Sequence, residues 1–204
     1  MQIEARAEEV GLSQLGLVAV DEGVGEVEVG ADPQGPDGEI DPDQTPVGPV
    51  HGRLLTLDPE GSYLVANTVI QILLESNVKV VAGPALAAIP IVASVSTISY
   101  LQGRPIRGIV IRNEAKKHGM GKIIEGVLEK YDRVAVVDDT CSTGGSLLRA
   151  IEQVEESGGK VVKVISILDR HLGGSDLIKG KGYEFITILD ADEDGKIQSG
   201  IPTI

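Results

Sequence analysis

The stretch from Val134 to Ser146 carries the side chains of this chain that are best suited to chemistry. An apolar run ends in two adjacent carboxylates, Asp138 and Asp139, and a hydroxyl- and glycine-rich segment follows them. This order predicts a buried strand, a tight loop and the start of a helix. A helix N-terminus offers unpaired backbone N–H groups and a positive dipole end, so the loop should bind phosphate. The carboxylates would repel phosphate and suit sugar hydroxyls or a metal ion, so the junction points to a phosphorylated sugar.

Three other loops follow predicted strands and differ in chemistry. Gly83 to Pro90 is made of small residues that allow close backbone approach, Arg112 to Lys122 is rich in cations, and Asp169 to Gly174 places an Arg beside an Asp. In a parallel sheet these loops and the Asp138–Ser146 loop emerge at the same edge, where ligands of such sheets bind. The set suits a ligand with several phosphates and a sugar.

Strand and helix patterns alternate after about residue 50. Near-continuous apolar strands in such an alternation predict an α/β fold with a parallel sheet covered on both faces. The uncharged stretch Val80 to Gly103 is long enough for a membrane span, but its prolines and polar residues favour a strand, a loop and a buried helix. The predicted helices are Ser62–Ser76, Ile89–Leu101 and Gly145–Ser157, and the predicted strands are Lys79–Ala82, Arg107–Ile111, Val134–Val137, Val161–Leu168 and Glu184–Leu189.

The formal charge of −13 is unevenly distributed along the 204 residues. Residues 1–50 hold twelve acidic residues and one basic residue, whereas residues 51–204 hold nineteen and seventeen. The acidic segment contains two strand-like runs, Leu15–Val20 and Glu26–Gly30. A basic nucleic-acid footprint is missing, which argues against a nucleic-acid partner. One cysteine and the lack of a signal sequence predict a reducing, cytoplasmic setting.

Two motifs resemble a known family. Asp138-Asp139-Thr-Cys-Ser-Thr-Gly-Gly-Ser resembles the phosphoribosyl diphosphate (PRPP) signature of type I phosphoribosyltransferases. The segment Arg112 to Gly126 resembles the mobile catalytic loop of orotate phosphoribosyltransferases, and Asp169-Arg170 with Gly173-Gly174 is similar to their orotate-side motif. The resemblance covers about residues 52–195. It implies a type I phosphoribosyltransferase (Rossmann-like) fold, with a core at 51–204 whose central parallel sheet is flanked by helices. The strand-like runs of the acidic segment predict a small β-rich hood at 1–50.

The resemblance also implies a reaction: transfer of ribose 5-phosphate from PRPP to a pyrimidine nitrogen, with release of pyrophosphate. The implied catalytic residues are Lys116, His118 and Arg112, which would stabilise the leaving group. Asp138 and Asp139 would hold the ribose hydroxyls directly or through Mg²⁺ that arrives with the substrate. Arg170, with Ser142, would bind the base, pairing with the carboxylate of orotate. The implied PRPP-binding residues are Asp138, Asp139, Thr140, Cys141, Ser142, Thr143, Gly144, Gly145, Ser146 and Lys117.

Three positions depart from the family pattern. Asn113, Ala87 and Asp58 occupy places where the family commonly has lysine. Two alternatives therefore stay open: a phosphoribosyltransferase for another base, such as a purine, and a non-catalytic regulator that senses PRPP or a nucleotide. The candidate site residues also have purely structural interpretations. The two acids could only cap a helix, and the cationic run from Arg112 to Lys122 could be a solvated surface. His171 has no spacing signal, and Asp190 to Asp194 is interpreted as a solvated loop. The family resemblance implies a homodimer.

Overall fold

The computed structural model describes residues 52–112, 123–191 and 197–201 of the chain. The predicted hood at 1–50 lies outside these residues, as do Asn113, Lys116, Lys117 and His118. The described helices are α1 (Gly52–Leu57), α2 (Pro59–Leu73), α3 (Ile89–Leu101), α4 (Gly145–Glu156) and α5 (Gly174–Gly180). The described strands are β1 (Val80–Pro84), β2 (Arg107–Ile111), β3 (Ile124–Glu125), β4 (Arg133–Cys141), β5 (Lys160–Asp169), β6 (Phe185–Ala191) and β7 (Ile197–Ser199).

The strands form one sheet in the order β3-β2-β1-β4-β5-β6-β7. The five central strands pair in parallel, and the short edge strands β3 and β7 pair antiparallel with β2 and β6. The prediction of a parallel sheet is therefore confirmed for its centre, while the two edge strands were not predicted. Because β1, β2, β4 and β5 run in the same direction, the four loops singled out by the sequence follow strand ends at one edge of the sheet.

Helices cover both faces of the sheet. Alternate residues of β1 point to opposite sides, as the period of a strand requires. Val81 packs in the core that contains α2 and α3 residues, and Val80 and Ala82 pack in the core that contains α4 residues. Both cores are built mainly from Val, Ile, Leu and Ala, as the near absence of aromatic residues demands. The flanked central sheet agrees with the predicted fold class.

Element boundaries differ from the prediction where capping and strand pairing decide them. The helix predicted at Ser62–Ser76 begins at Pro59, because the carboxylate of Asp58 accepts the N–H of Gly61 at 2.8 Å and Pro59 suits the first helical position. The helix predicted at Ile89–Leu101 and the strand predicted at Arg107–Ile111 are confirmed with those bounds. Within the described ranges, no helix is long and apolar enough to cross a bilayer.

Candidate functional site

Strand β4 runs further than the sequence predicts. Its apolar part was expected to end at Val137, but the strand continues through Cys141 because it stays paired with β5, with Thr140 opposite Leu168 and Cys141 opposite Asp169. Asp138, Asp139, Thr140 and Cys141 are therefore strand residues, and the loop itself is reduced to Ser142–Gly144. Asp138 and Cys141 are buried, whereas Asp139 and Thr140 are half-buried. The two adjacent carboxylates consequently have different environments.

Asp138 is a buried carboxyl group that is held by the chain itself. It is 5% exposed, it accepts the hydroxyl of Ser146 at 2.9 Å, and it accepts the N–H of Asp139 at 3.0 Å. Burial, followed by the neighbouring charge of Asp139, raises the pKa of Asp138 from 3.8 to about 7. Asp138 and Ser146 were both predicted to contact PRPP, but the structure pairs them with each other. Asp139 is the more accessible of the two acids.

The loop after β4 has the shape of an anion cradle. Gly144 adopts a left-handed conformation, with φ of +78°, that glycine tolerates without steric cost, and it precedes the first turn of α4. The first N–H groups of a helix have no intrahelical acceptor, so those near Gly145 and Ser146 are suited to a phosphate. A Cβ added to Gly145 would meet nothing within 4 Å, which shows open space beside this part of the loop. Thr143 is exposed at the same turn.

Cys141 does not supply a nucleophile. Burial, with the charges of Asp169 and Asp138, raises the pKa of its thiol to about 12. A thiol that stays protonated at neutral pH is a poor nucleophile. Its carbonyl, in contrast, has a clear structural role, because it accepts the N–H of Arg170 at 2.9 Å.

The loop after β5 is fastened to the cradle. Besides the bond from Arg170 to Cys141, the N–H of Gly174 donates to the carbonyl of Ser142 at 2.9 Å. The approach is so close that a Cβ on Gly174 would lie 2.4 Å from the oxygen of Ser142 and 2.5 Å from the nitrogen of Gly144. The structure thus brings the predicted base-side Arg170 and the predicted phosphate loop together as one unit. Arg170 is half-buried and lies where the loop after β5 meets the loop after β4.

The loop after β1 is compact and lacks a cation. A Cβ on Gly83 would lie 2.4 Å from the side chain of Ala88, which is fully buried, and the N–H of Ala85 donates to the carbonyl of Ile111 at 2.8 Å. Ala87 is half-buried, so a side chain at this position has partial access to solvent. Because Ala87 stands where the family commonly has lysine, this loop has no charged side chain to offer a ligand. Its backbone N–H and C=O groups remain available for binding.

Arg112 marks one end of the cationic segment. Its N–H donates to the carbonyl of Ile123 at 2.9 Å, and its guanidinium lies 3.2 Å from the carboxylate of Glu125. Both groups are well exposed, and such pairs contribute little to stability. Arg112 directly follows β2, which is separated from β4 by β1 alone, about 10 Å away at the usual strand spacing. Lys116, Lys117 and His118, between these anchors, are outside the described residues.

Two residues missed by the sequence analysis, His171 and Asp190, lie at the ends of β5 and β6. His171 and Asp190 form a hydrogen bond, and the ring of His171 also lies 3.7 Å from the carboxylate of Asp169. Asp190 was assigned to a solvated loop, but it belongs to β6 and pairs with Asp169 across the sheet. The sequence did offer one sign that His171 belongs to the site: it directly follows Asp169-Arg170 at the end of a predicted strand.

Similarity to characterised proteins decides the family. No protein-family model matches the chain. The orotate phosphoribosyltransferase of Aquifex aeolicus is 35% identical over 141 residues, which span 69% of this chain and 77% of the relative. This chain belongs to the orotate phosphoribosyltransferase family. A second relative of the same name, from Methanothermobacter thermautotrophicus, is 45% identical over 113 residues, 55% of this chain and 60% of the relative.

The fold of the orotate phosphoribosyltransferase family is also seen in solved structures. The Mycobacterium tuberculosis enzyme, solved in complex with PRPP, matches with a TM-score of 0.60 and 33% identity. The match covers 69% of this chain and 80% of that one. The predicted type I phosphoribosyltransferase fold is confirmed.

Asp138 and Asp139 are the acids that were predicted to meet Mg²⁺ carried by a substrate. Among the described residues, no group of three or more His, Cys, Asp or Glu side chains could hold a metal. Asp138 is occupied by Ser146 and Asp139, which leaves the carboxylate of Asp139 as the accessible acid of the pair. Mg²⁺ commonly binds through one or two carboxylates together with substrate phosphates and waters. Asp139 suits that role, directly or through a water.

Proposed function

We propose that this chain transfers ribose 5-phosphate from PRPP to orotate and releases pyrophosphate, the reaction for which its relatives are named. The observation that carries the proposal is the junction of β4 and β5, where the phosphate cradle and the loop of Arg170 are joined by two backbone hydrogen bonds. A site that must hold a phosphosugar and a base in contact requires such a fixed arrangement. Orienting two substrates in this way lowers a barrier by roughly 7–11 kcal/mol.

The proposed roles follow from charge and position. The N–H groups at Thr143 to Ser146 bind the 5-phosphate, and Asp139 binds the ribose hydroxyls. Departure of pyrophosphate develops positive charge on the ribose and negative charge on the leaving group. Cations of the segment from Arg112 to Lys122 stabilise the leaving group, with Lys116 and His118 as the principal candidates by resemblance and Lys117 as a PRPP contact. Arg170 pairs with the carboxylate of orotate.

Mg²⁺ belongs to this proposal as the companion of PRPP. When bound, it neutralises charge on the diphosphate, while the chain's own contribution is to place Asp139 at the sugar. Asp138 supports the cradle from beneath, because its carboxyl group accepts the hydroxyl of Ser146 in the first turn of α4. We therefore assign Asp138 a supporting role and not the direct ribose contact predicted from the sequence.

The alternative of a purine acceptor loses its main argument. Asp58 suggested a reversed charge on the base side, but its carboxylate caps α2 through the N–H of Gly61. The alternative of a non-catalytic PRPP sensor rests on Ala87 and Asn113, which stand where the family commonly has lysine. Only a measurement of activity distinguishes such a sensor from an enzyme. Both alternatives give clear outcomes in one assay.

The test mixes the full chain with PRPP, Mg²⁺ and one base at a time, and follows pyrophosphate release. Release with orotate, and none with adenine, guanine or hypoxanthine, is the expected result. Release with purines only would replace orotate by a purine. Binding of PRPP, measured by calorimetry, without release in the presence of any base would overturn the enzymatic function in favour of a sensor.

We also propose that the chain is a homodimer in the cytoplasm. Helix α3 carries no charged residue, yet Tyr100 and Leu101 at its end are 72% and 73% exposed. Large apolar side chains that are exposed on an uncharged helix mark an interaction surface, so a partner should cover the outer face of α3. A groove of about 370 Å³ between α2 and α3 adjoins this face; it is lined by Pro59, Ser62, Tyr63, Ala93, Ser94, Thr97 and Ile98. The proposed cytoplasmic location rests on the cysteine content. The single cysteine of the chain, Cys141, is a buried free thiol, which agrees with a reducing compartment.

A further inference from the structure

His171 has an unusual backbone conformation at a functional turn. It is one of three non-glycine residues with positive φ in the described part of the chain, with φ of +53°, and it lies between β5 and α5 directly after Arg170. Non-glycine residues adopt this region uncommonly, and such conformations persist where the surroundings enforce them. Here the enforcing contacts are polar and involve two carboxylates.

The first carboxylate is that of Asp169, whose side chain is 3% exposed. The N–H of His171 donates to one of its oxygens at 3.0 Å, and the imidazole Nδ1 lies 3.7 Å from the other. A buried carboxylate is costly unless it receives hydrogen bonds. The turned-back conformation of His171 therefore satisfies an acid at the end of β5.

The second carboxylate is that of Asp190 on β6. Its oxygen contacts Nε2 of His171, and because a carboxylate only accepts hydrogen bonds, Nε2 is the donor. Asp169 and Asp190 are partners in the parallel register of β5 and β6, so His171 spans two neighbouring strands. This contact anchors the turn to β6, whereas Arg170 and Gly174 anchor it to the cradle.

We propose that His171 is a positioning residue for base binding. It fixes the turn that carries Arg170, and it engages two carboxylates that lie at the same sheet edge as an anionic base. The inference rests on the proposed function, because it assumes that the base presents a carboxylate to Arg170. Loss of the His171 side chain frees the turn on its β6 side, so Arg170 is held less firmly and binding of an anionic base weakens.

The experiment measures KM for orotate and for PRPP, kcat and the unfolding temperature of His171→Ala, Asp190→Ala and the double variant. His171→Asn is the conservative variant, because asparagine tolerates positive φ and keeps a side-chain donor. Lys181→Ala, an exposed change just after α5, is the matched control. Each single alanine variant should raise the KM for orotate about tenfold, the effect of losing one hydrogen bond to a charged group.

The expected pattern separates positioning from general damage. The KM for PRPP should change less than about twofold, His171→Asn should recover part of the orotate KM, and the double variant should be no worse than either single variant, since coupled residues are not additive. Equal increases in both KM values together with a lower unfolding temperature would reduce His171 to a structural residue. If the wild-type chain consumes no orotate, the proposed function falls and the inference with it. If it does, and His171→Ala keeps the wild-type KM for orotate, the inference alone is overturned.

Discussion

The N–H of Gly174 donates to the carbonyl oxygen of Ser142 at 2.9 Å, and a Cβ on Gly174 would lie 2.4 Å from that same oxygen. This contact joins the proposed base loop to the proposed phosphate loop, and it leaves no room for a side chain. We expect Gly174→Ala to lower the free energy of unfolding by about 1–3 kcal/mol, because backbone must move on both sides. It should also raise KM for both substrates. Thermal unfolding and steady-state kinetics measure these changes.

The matched control for this change is Gly180→Ala in the same helix, where an added Cβ would meet nothing within 4 Å. It should leave the stability unchanged or raise it by about 0.4–1 kcal/mol. Equal stability of the two variants would mean that the two loops are not joined in the way described.

Gly145 tests the phosphate cradle without disturbing the fold. An added Cβ would enter open space at the first turn of α4, so Gly145→Ala should keep or slightly raise the unfolding temperature. If a phosphate occupies that space, the KM for PRPP should rise about tenfold, which corresponds to about 1.4 kcal/mol. Initial rates at varied PRPP check this expectation. A KM within twofold of the wild-type value would place the phosphate elsewhere.

Asp138 should make stability depend on pH. Its pKa is 3.8 as an ordinary aspartate and about 7 in the folded chain. Between these values the folded chain holds a proton that the unfolded chain has released, so the free energy of unfolding falls as pH rises through this window. Asp138→Asn should therefore gain stability relative to wild type between pH 4 and pH 8, as measured by thermal unfolding. A difference in unfolding temperature that is constant across this range would contradict the raised pKa.

Lys116 is predicted to act on the leaving group. Lys116→Ala should lower kcat about 100-fold or more, the usual loss for one group that stabilises transition-state charge, and change PRPP affinity much less. The neighbouring Lys117→Ala is the control, since Lys117 is predicted to bind PRPP and should mainly affect its affinity. Turnover assays and calorimetry with PRPP distinguish the two. An unchanged kcat for Lys116→Ala would remove the leaving-group assignment.

The uncharged face of α3 should mediate dimer formation. Leu101→Glu places a charge on this face and should convert a dimer to a monomer in light scattering coupled to gel filtration. Leu177→Glu, an exposed change on α5, should leave the mass unchanged. A wild-type chain that is already monomeric at micromolar concentration would contradict the proposed dimer.

The sequence by itself determined the α/β class, most of the central elements and the chemical character of each loop. Apolar strand runs and helical spacing are local properties, so Arg107–Ile111 and Ile89–Leu101 could be predicted with their observed bounds. The motif from Asp138 to Ser146 predicted a phosphosugar site and, by resemblance, a type I phosphoribosyltransferase, and the segment from Arg112 to Gly126 narrowed the family to orotate phosphoribosyltransferases. Asp169-Arg170 was placed correctly at the same edge, because parallel strands bring their carboxyl ends together.

Only the tertiary structure decided which polar groups face one another. Pairing of β4 with β5 carries the strand through Cys141, which buries Asp138 and directs it to Ser146. The same register brings Gly174 against Ser142, and the pairing of β5 with β6 brings Asp190 to His171 from nineteen positions away. These contacts depend on strand register and on the path of a turn with positive φ, which are set by long-range packing and leave no local periodic signal.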